Sequence, residues 1–161
     1  MTKRELLALM HATRQELEAL LGQLTPGQMS QPGVAGAWSV KDMLAHIAWY
    51  QAEEVEFFGE TGVAASPLWA TPQDARNELL LGQNRERTLE DILAEFRSAF
   101  ARFLSVVEGL SDAELNQSGR FPDTRADRLP WQAIAVHSYE HDREHIALIR
   151  QWLTNQPVER R

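Results

Sequence analysis

Apolar residues in this chain recur every three or four positions over four long stretches, and nowhere do they alternate with period two over the length of a strand. Residues three and four apart share one face of an α-helix, so each stretch predicts an amphipathic helix. Cap signals bracket them. Thr2 followed by Glu5 reads as a capping box, and Leu6, Leu9, Met10, Leu17, Leu20, Leu21 and Leu24 behind it predict a first helix over about 3–24. Thr25-Pro26-Gly27 reads as its end, and the Gly/Pro-rich stretch TPGQMSQPGVAGA as a loop. Ser39 with Asp42 opens a second helix over about 40–59, with Val40, Met43, Leu44, Ile47 and Gln51 on one face.

Residues 60–71 read as a linker. Thr71-Pro72-Gln73-Asp74 predicts the start of a helix that breaks or kinks near Gly82–Thr88. Thr88 with Asp91 supplies a fresh cap, and Ile92, Leu93, Phe96, Phe100, Phe103, Leu104 and Val107 form the stripe of the third long helix. Ser111 with Glu114 predicts a short helical turn, FPDTRADRLP a loop, and Pro130 the start of the last helix, over about 130–153. Four such segments predict an all-α chain: a single four-helix-bundle domain over residues 1–161. Its first and second connections are both long. The first takes roughly 15 residues where helix connections usually take about 2–8, and long loops at one end of a bundle are where the walls of a site come from.

Charge and composition narrow the function. The net charge is −7, from 16 basic and 23 acidic residues, which predicts neither a nucleic acid nor an anionic membrane as partner. No stretch approaches the roughly 18 apolar residues of a membrane span. The N-terminal MTKRELLALMHATRQ becomes charged too soon for an export signal, so the cytoplasm is the expected compartment. Zero cysteines exclude disulfides, thiolate ligands and a cysteine nucleophile.

Three of the five histidines fall within nine residues, HSYEHDREH, as His137, His141 and His145. On a helical wheel His141 and His145 share a stripe with Ile134, Ser138, Ile149 and Trp152, while His137 lies toward one edge near Glu144. Two imidazoles four apart on a core-facing stripe must either find hydrogen-bond partners or converge on one ion. His46, on the shoulder of the second helix in line with Met43, Tyr50 and Phe57, is placed to supply a third nitrogen; His11 has no such company. A site of three neutral imidazoles leaves positions open for water or substrate and leaves the ion its full charge. Such an ion acidifies a bound water to a pKa of about 7, or holds a thiol as thiolate, so it supports hydrolysis and thiol transfer alike. The stretch also matches H-x-x-E-H twice, but an inverted zinc peptidase needs a distant carboxylate ligand and a cleft wall, and little chain follows His145. Glu53, seven residues after His46, and Glu144, between the helical pair, are the candidate catalytic or orienting carboxylates. Tyr50 and Trp49 are candidate walls.

Gly36-Ala37-Trp38-Ser39-Val40-Lys41-Asp42-Met43-Leu44-Ala45-His46, together with His141-Asp142-Arg143-Glu144-His145-Ile146, resembles the DinB/YfiT-like superfamily of metal-dependent four-helix enzymes. The stretch QPGVAGAWSVKDMLAHIAWY is also similar to the ClbS/DfsB branch. The resemblance covers essentially the whole chain. It implies a divalent metal, commonly nickel or zinc, on His46, His141 and His145, and relatives that join low-molecular-weight thiols to electrophiles or isomerise with mycothiol. The ClbS-like branch implies instead a metal-free protein that protects the cell from a reactive small molecule.

Three readings follow. The first is a metal-dependent transferase or hydrolase acting on a small electrophile, with a low-molecular-weight thiol as co-substrate in the transfer case. The second is the metal-free self-protection protein. The third is a non-enzymatic bundle that forms a homodimer through apolar surface.

Overall fold

The computed structural model describes residues 1–59, 66–119, 121 and 128–156. The remainder of the expected 60–71 linker and of the FPDTRADRLP loop lies outside the described residues. Among the described residues there is no strand; the one β-bridge joins Ala35 to Trp38.

Helix α1 (Lys3–Leu21) begins at the expected capping box. Thr2 Oγ1 accepts from Glu5 N at 3.2 Å and Glu5 Oε2 accepts from Thr2 N at 2.8 Å, so two end donors are satisfied reciprocally. The helix ends three residues earlier than expected. Thr25-Pro26-Gly27 does not terminate it but starts a short helix α2 (Pro26–Ser30), because Thr25 and Gln28 form a second capping box with proline at the first helical position. The chain then folds tightly back: Gly33 N and Val34 N both donate to Trp38 O, with Gly33 at φ 112° and Gly36 at φ 60°. Positive φ is open to glycine at no steric cost, which is why the turn uses it twice.

Helix α3 (Val40–Phe58) starts at the Ser39–Asp42 box, as expected. A single 3₁₀ turn (Pro67–Ala70) precedes α4 (Gln73–Asn84). The expected break follows, and α5 (Leu89–Gly109) is capped by Thr88. Ser111 and Glu114 cap the one-turn α6 (Asp112–Leu115).

The expected single last helix is two: α7 (Pro130–Val136) and α8 (Tyr139–Asn155). Ser138 at φ −124°, ψ −107° leaves the helical region, and its hydroxyl donates to Ile134 O at 2.6 Å. A hydroxyl returned to the carbonyl four residues back competes with the helical ladder. The His137 carbonyl, freed from that ladder, accepts from Gln51 Nε2 of α3 at 3.4 Å.

Four long helices form the bundle, with α3 lying along α5 and α1 along α8. Two apolar clusters fill it. One holds Leu17, Leu21, Leu44, Ile47, Phe96, Ile149 and Trp152; the other holds Leu6, Met10, Phe57, Phe103, Val107, Leu115 and Ile134. Each fully buried Leu, Ile or Phe contributes roughly 1.5–3 kcal/mol, so the clusters carry the fold. Along α1, α3 and α8 the residues between the clusters are polar yet buried: Thr13 and Arg14, Gln51 and Glu54, and Ser138 and Asp142.

Candidate metal centre

His46 lies two turns into α3, and His141 and His145 occupy the first turns of α8. The bundle brings them together: His46 Nε2 stands 2.9 Å from His141 Nε2, and His145 Nε2 stands 3.0 Å from the same atom. One ligand atom from each of the three lies within 4.8 Å of the others. His46 and His145 are buried and His141 is half-buried.

A neutral imidazole nitrogen carries either one proton or one lone pair in the ring plane. His141 Nε2 therefore cannot complete hydrogen bonds to both neighbours. One cation drawing on all three lone pairs would resolve the conflict, and three neutral imidazoles are a donor set that divalent metals take. The donor set thus fits a divalent metal. Burial, reinforced by the charge of its neighbours His141, His137 and Arg76, pushes His46 down to about 3. Burial, then Arg14, pushes His141 down to about 4, and burial with the other two rings holds His145 well below the usual imidazole range. All three are neutral near pH 7, the form that ligates.

The second layer differs from expectation. Ligating imidazoles usually hand their other N–H to a carboxylate or carbonyl. Here Nδ1 of His46, His141 and His145 is buried without a partner. Neither candidate carboxylate orients a ring. Glu53 Oε2 accepts from Ser66 N at 2.9 Å and Trp69 Nε1 at 2.8 Å, so its position on α3 faces the 3₁₀ turn. Glu144 is exposed and lines the mouth of the site. His137 stands outside the ligand set. It stacks on Tyr50 at 5.2 Å with ring planes 8° apart, and its Nε2 lies 3.6 Å from Glu54 Oε1. Burial raises Glu54 to about 8, helped by Glu53, and lowers His137 to about 3. That approach is therefore a contact of two neutral groups, not an ion pair.

The walls are aromatic. Tyr50 meets His46 edge-on at 4.7 Å, and Trp38 does so at 5.5 Å. Trp49 packs on Trp69. Arg76, which the sequence pattern did not single out, holds this wall. Its Nε donates to Tyr50 Oη at 2.9 Å, its Nη1 donates to Thr71 O at 3.2 Å, and its guanidinium covers the Trp69 ring at 4.6 Å. A cavity of about 260 Å³ opens onto His46 and His141, bounded by Tyr50, Gln73, Val136, His137, Glu140 and Glu144.

Sequence reasoning also missed the buried pair Arg14–Asp142, joined at 3.0 Å. The signal was present: Arg14 falls between Met10 and Leu17, and Asp142 four residues after Ser138, each an opposite charge on an apolar stripe. Burial opposes both charges, raising Asp142 to about 6 and lowering Arg14.

The sequence model of the DinB superfamily matches residues 9–149. No curated protein matches the sequence. Among solved structures, the colibactin self-resistance protein ClbS, in complex with a dsDNA, is 12% identical, with TM-score 0.81 and 97% of this chain and 98% of that one covered. The sibling lethal factor precursor DfsB is 14% identical, with TM-score 0.77 and 97% of each chain covered. An uncharacterised protein from Escherichia coli UTI89 is 17% identical, with TM-score 0.78 and 96% of this chain and 94% of that one covered. At these identities the likeness is one of fold. The expectation that an acidic balance rules out nucleic acid is overturned by the ClbS complex, in which a protein of this architecture holds duplex DNA. Net charge averages over the whole surface, whereas a duplex meets only one face of it.

Proposed function

The chain therefore belongs to the DinB superfamily, and on that premise we propose that it is a metal-dependent enzyme. It holds one divalent cation, nickel or zinc, through His46, His141 and His145, and transfers a low-molecular-weight thiol to a small electrophile or hydrolyses that electrophile. One observation supports this above all: His141 Nε2 meets two other imidazole nitrogens at 2.9 and 3.0 Å, an arrangement that hydrogen bonds alone leave unsatisfied.

When bound, the cation supplies Lewis-acid charge that acidifies a water or a thiol. The rest falls to the chain itself. Burial keeps the three rings neutral and their lone pairs available. Tyr50, His137 and Val136 exclude bulk water from one side of the cavity, whose volume of about 260 Å³ suits a small substrate. Glu144, with Glu140 beside it at the mouth, would accept a proton and pass it to solvent in this reading.

The test is elemental analysis of protein purified after nickel, zinc and manganese supplementation. One ion per chain is expected, lost in His141→Ala and His145→Ala; protein that never retains an ion rejects the reading. A screen of bacterial thiols against a generic electrophile then separates transfer from hydrolysis.

The unpartnered Nδ1 atoms favour a second reading. Rings without orienting partners suit a metal-free protein that protects against a reactive small molecule, and the self-resistance protein ClbS shares the fold. That reading expects activity to survive chelator and His46→Ala. It also brings duplex DNA into consideration, tested by gel shift on the chelated protein.

A further inference from the structure

The polar layer between the two apolar clusters has no part in ligation, yet it touches every element that carries a ligand. Arg14 of α1 donates from Nε to Asp142 Oδ2 at 3.0 Å and from Nη2 to Asp142 Oδ1 at 3.3 Å. The same Nη2 donates to Gln51 Oε1 at 3.0 Å. Gln51 in turn donates from Nε2 to the His137 carbonyl at 3.4 Å, the carbonyl released where α7 gives way to α8. Phe96 and Phe100 of α5 hold the guanidinium between them, 4.0 and 4.1 Å from their ring centroids. Arg14, Gln51 and Asp142 are all buried.

Register follows from this arrangement. Asp142 adjoins His141 and lies three residues before His145. Turning α8 about its axis would take Asp142 off the guanidinium and His141 off His46 in one motion. Gln51 lies five residues after His46 on α3, so it ties the start of α8 to the helix that carries the third ring. A two-armed guanidinium fork fixes orientation as well as distance, which a single hydrogen bond does not. A buried ion pair is a weak stabiliser compared with apolar residues of equal volume, so stability alone does not account for this one.

We propose that Arg14, Gln51 and Asp142 form a positioning clamp that sets the rotation and starting point of α8, so that His141 and His145 meet His46. Its consequence for metal affinity rests on the proposed function; its geometry does not. The experiment therefore has two readouts on Gln51→Leu, Arg14→Met and the conservative Arg14→Lys, each first checked for helical circular dichroism and a cooperative melt. The first is Co2+ titration with the visible spectrum of the bound ion. The second is the nuclear Overhauser contact between the His46 and His141 ring protons in chelator-treated protein.

Gln51→Leu and Arg14→Met are expected to bind Co2+ about 10–100-fold more weakly, with an altered spectrum, and to lose the ring contact, while Arg14→Lys recovers part of both. Folded variants that keep the ring contact overturn the clamp. If wild-type protein binds no Co2+, the metal reading falls and the ring contact alone decides. If Arg14→Met does not fold, Gln51→Leu, which leaves the Arg14–Asp142 fork in place, decides.

Discussion

Replacing Glu54 by glutamine should stabilise the protein, and by an amount that depends on pH. The Glu54 side chain is 6% exposed, Oε2 has no partner, and Oε1 lies 3.6 Å from His137 Nε2. Burial, helped by the neighbouring Glu53, raises its pKa from 4.5 to about 8. The sign follows directly. A carboxyl whose folded pKa is raised keeps a proton that the unfolded chain releases, so it costs nothing below the unfolded value. The cost then grows with pH between about 4.5 and about 8, at about 1.36 kcal/mol per unit. At pH 7 it amounts to about 3 kcal/mol. Glutamine keeps the shape and carries no charge. Glu54→Gln should therefore match the wild type near pH 4.5 and exceed it by up to about 3 kcal/mol at pH 7, or about 6–12 °C in Tm for a chain of this size. Urea unfolding of both proteins at half-unit steps from pH 4.5 to 8.5, with equal m-values, measures the difference. A constant offset across that range refutes the reasoning. A variant less stable at every pH refutes it more strongly, because that is the signature of a Glu54 carboxylate paired with a protonated His137.

Other expectations concern the centre and its surroundings. A metal at about 100 times its Kd should stabilise wild-type protein by about 2.7 kcal/mol; thermal melts with and without zinc or nickel should show the shift vanish in His141→Ala and persist in His11→Ala. Arg14→Met/Asp142→Leu should be neutral or stabilising in urea, since burial opposes both charges of the pair, yet should bind metal more weakly; a double variant of unchanged affinity would make the pair structural only. Glu53→Ala should release Ser66 and Trp69, costing about 1–3 kcal/mol and raising acrylamide quenching relative to a Trp69→Phe control, whereas unchanged quenching would mean that the turn is held by Arg76 alone.

What the sequence revealed was whatever depends on neighbours in the chain. The boxes at Thr2, Ser39 and Ser111 and the cap at Thr88 are local chemistry, and each begins a helix where its spacing says it should. The pair His141 and His145 was legible for the same reason, because a four-residue interval fixes the face they share. The depth of His46 was not. A wheel places it on a shoulder, but α3 buries Met43, Leu44, Ala45, Ile47 and Ala48 around it, and a helix enclosed on most sides has no single inward face for periodicity to report. The break at Ser138 was hidden too. Nothing in VHSYE forbids a helix, and the carbonyl that the break exposes is satisfied by Gln51, 86 residues away in sequence.

That dependence bears on how the centre can exist at all. Three neutral rings with ligand atoms within 4.8 Å of one another, each with an unpartnered Nδ1, are a poor way to fill a core. Apolar side chains in their place would pack without orphaned atoms, and the same holds for Arg14 and Asp142. The two apolar clusters on either side are large enough to tolerate such a layer. The bundle therefore divides its labour along its length: its ends supply stability, and the layer between them holds α8 at one rotation against α3. A core redesigned for stability alone would replace that layer first. The expected result is a tighter bundle with the same helices and no binding of zinc or nickel.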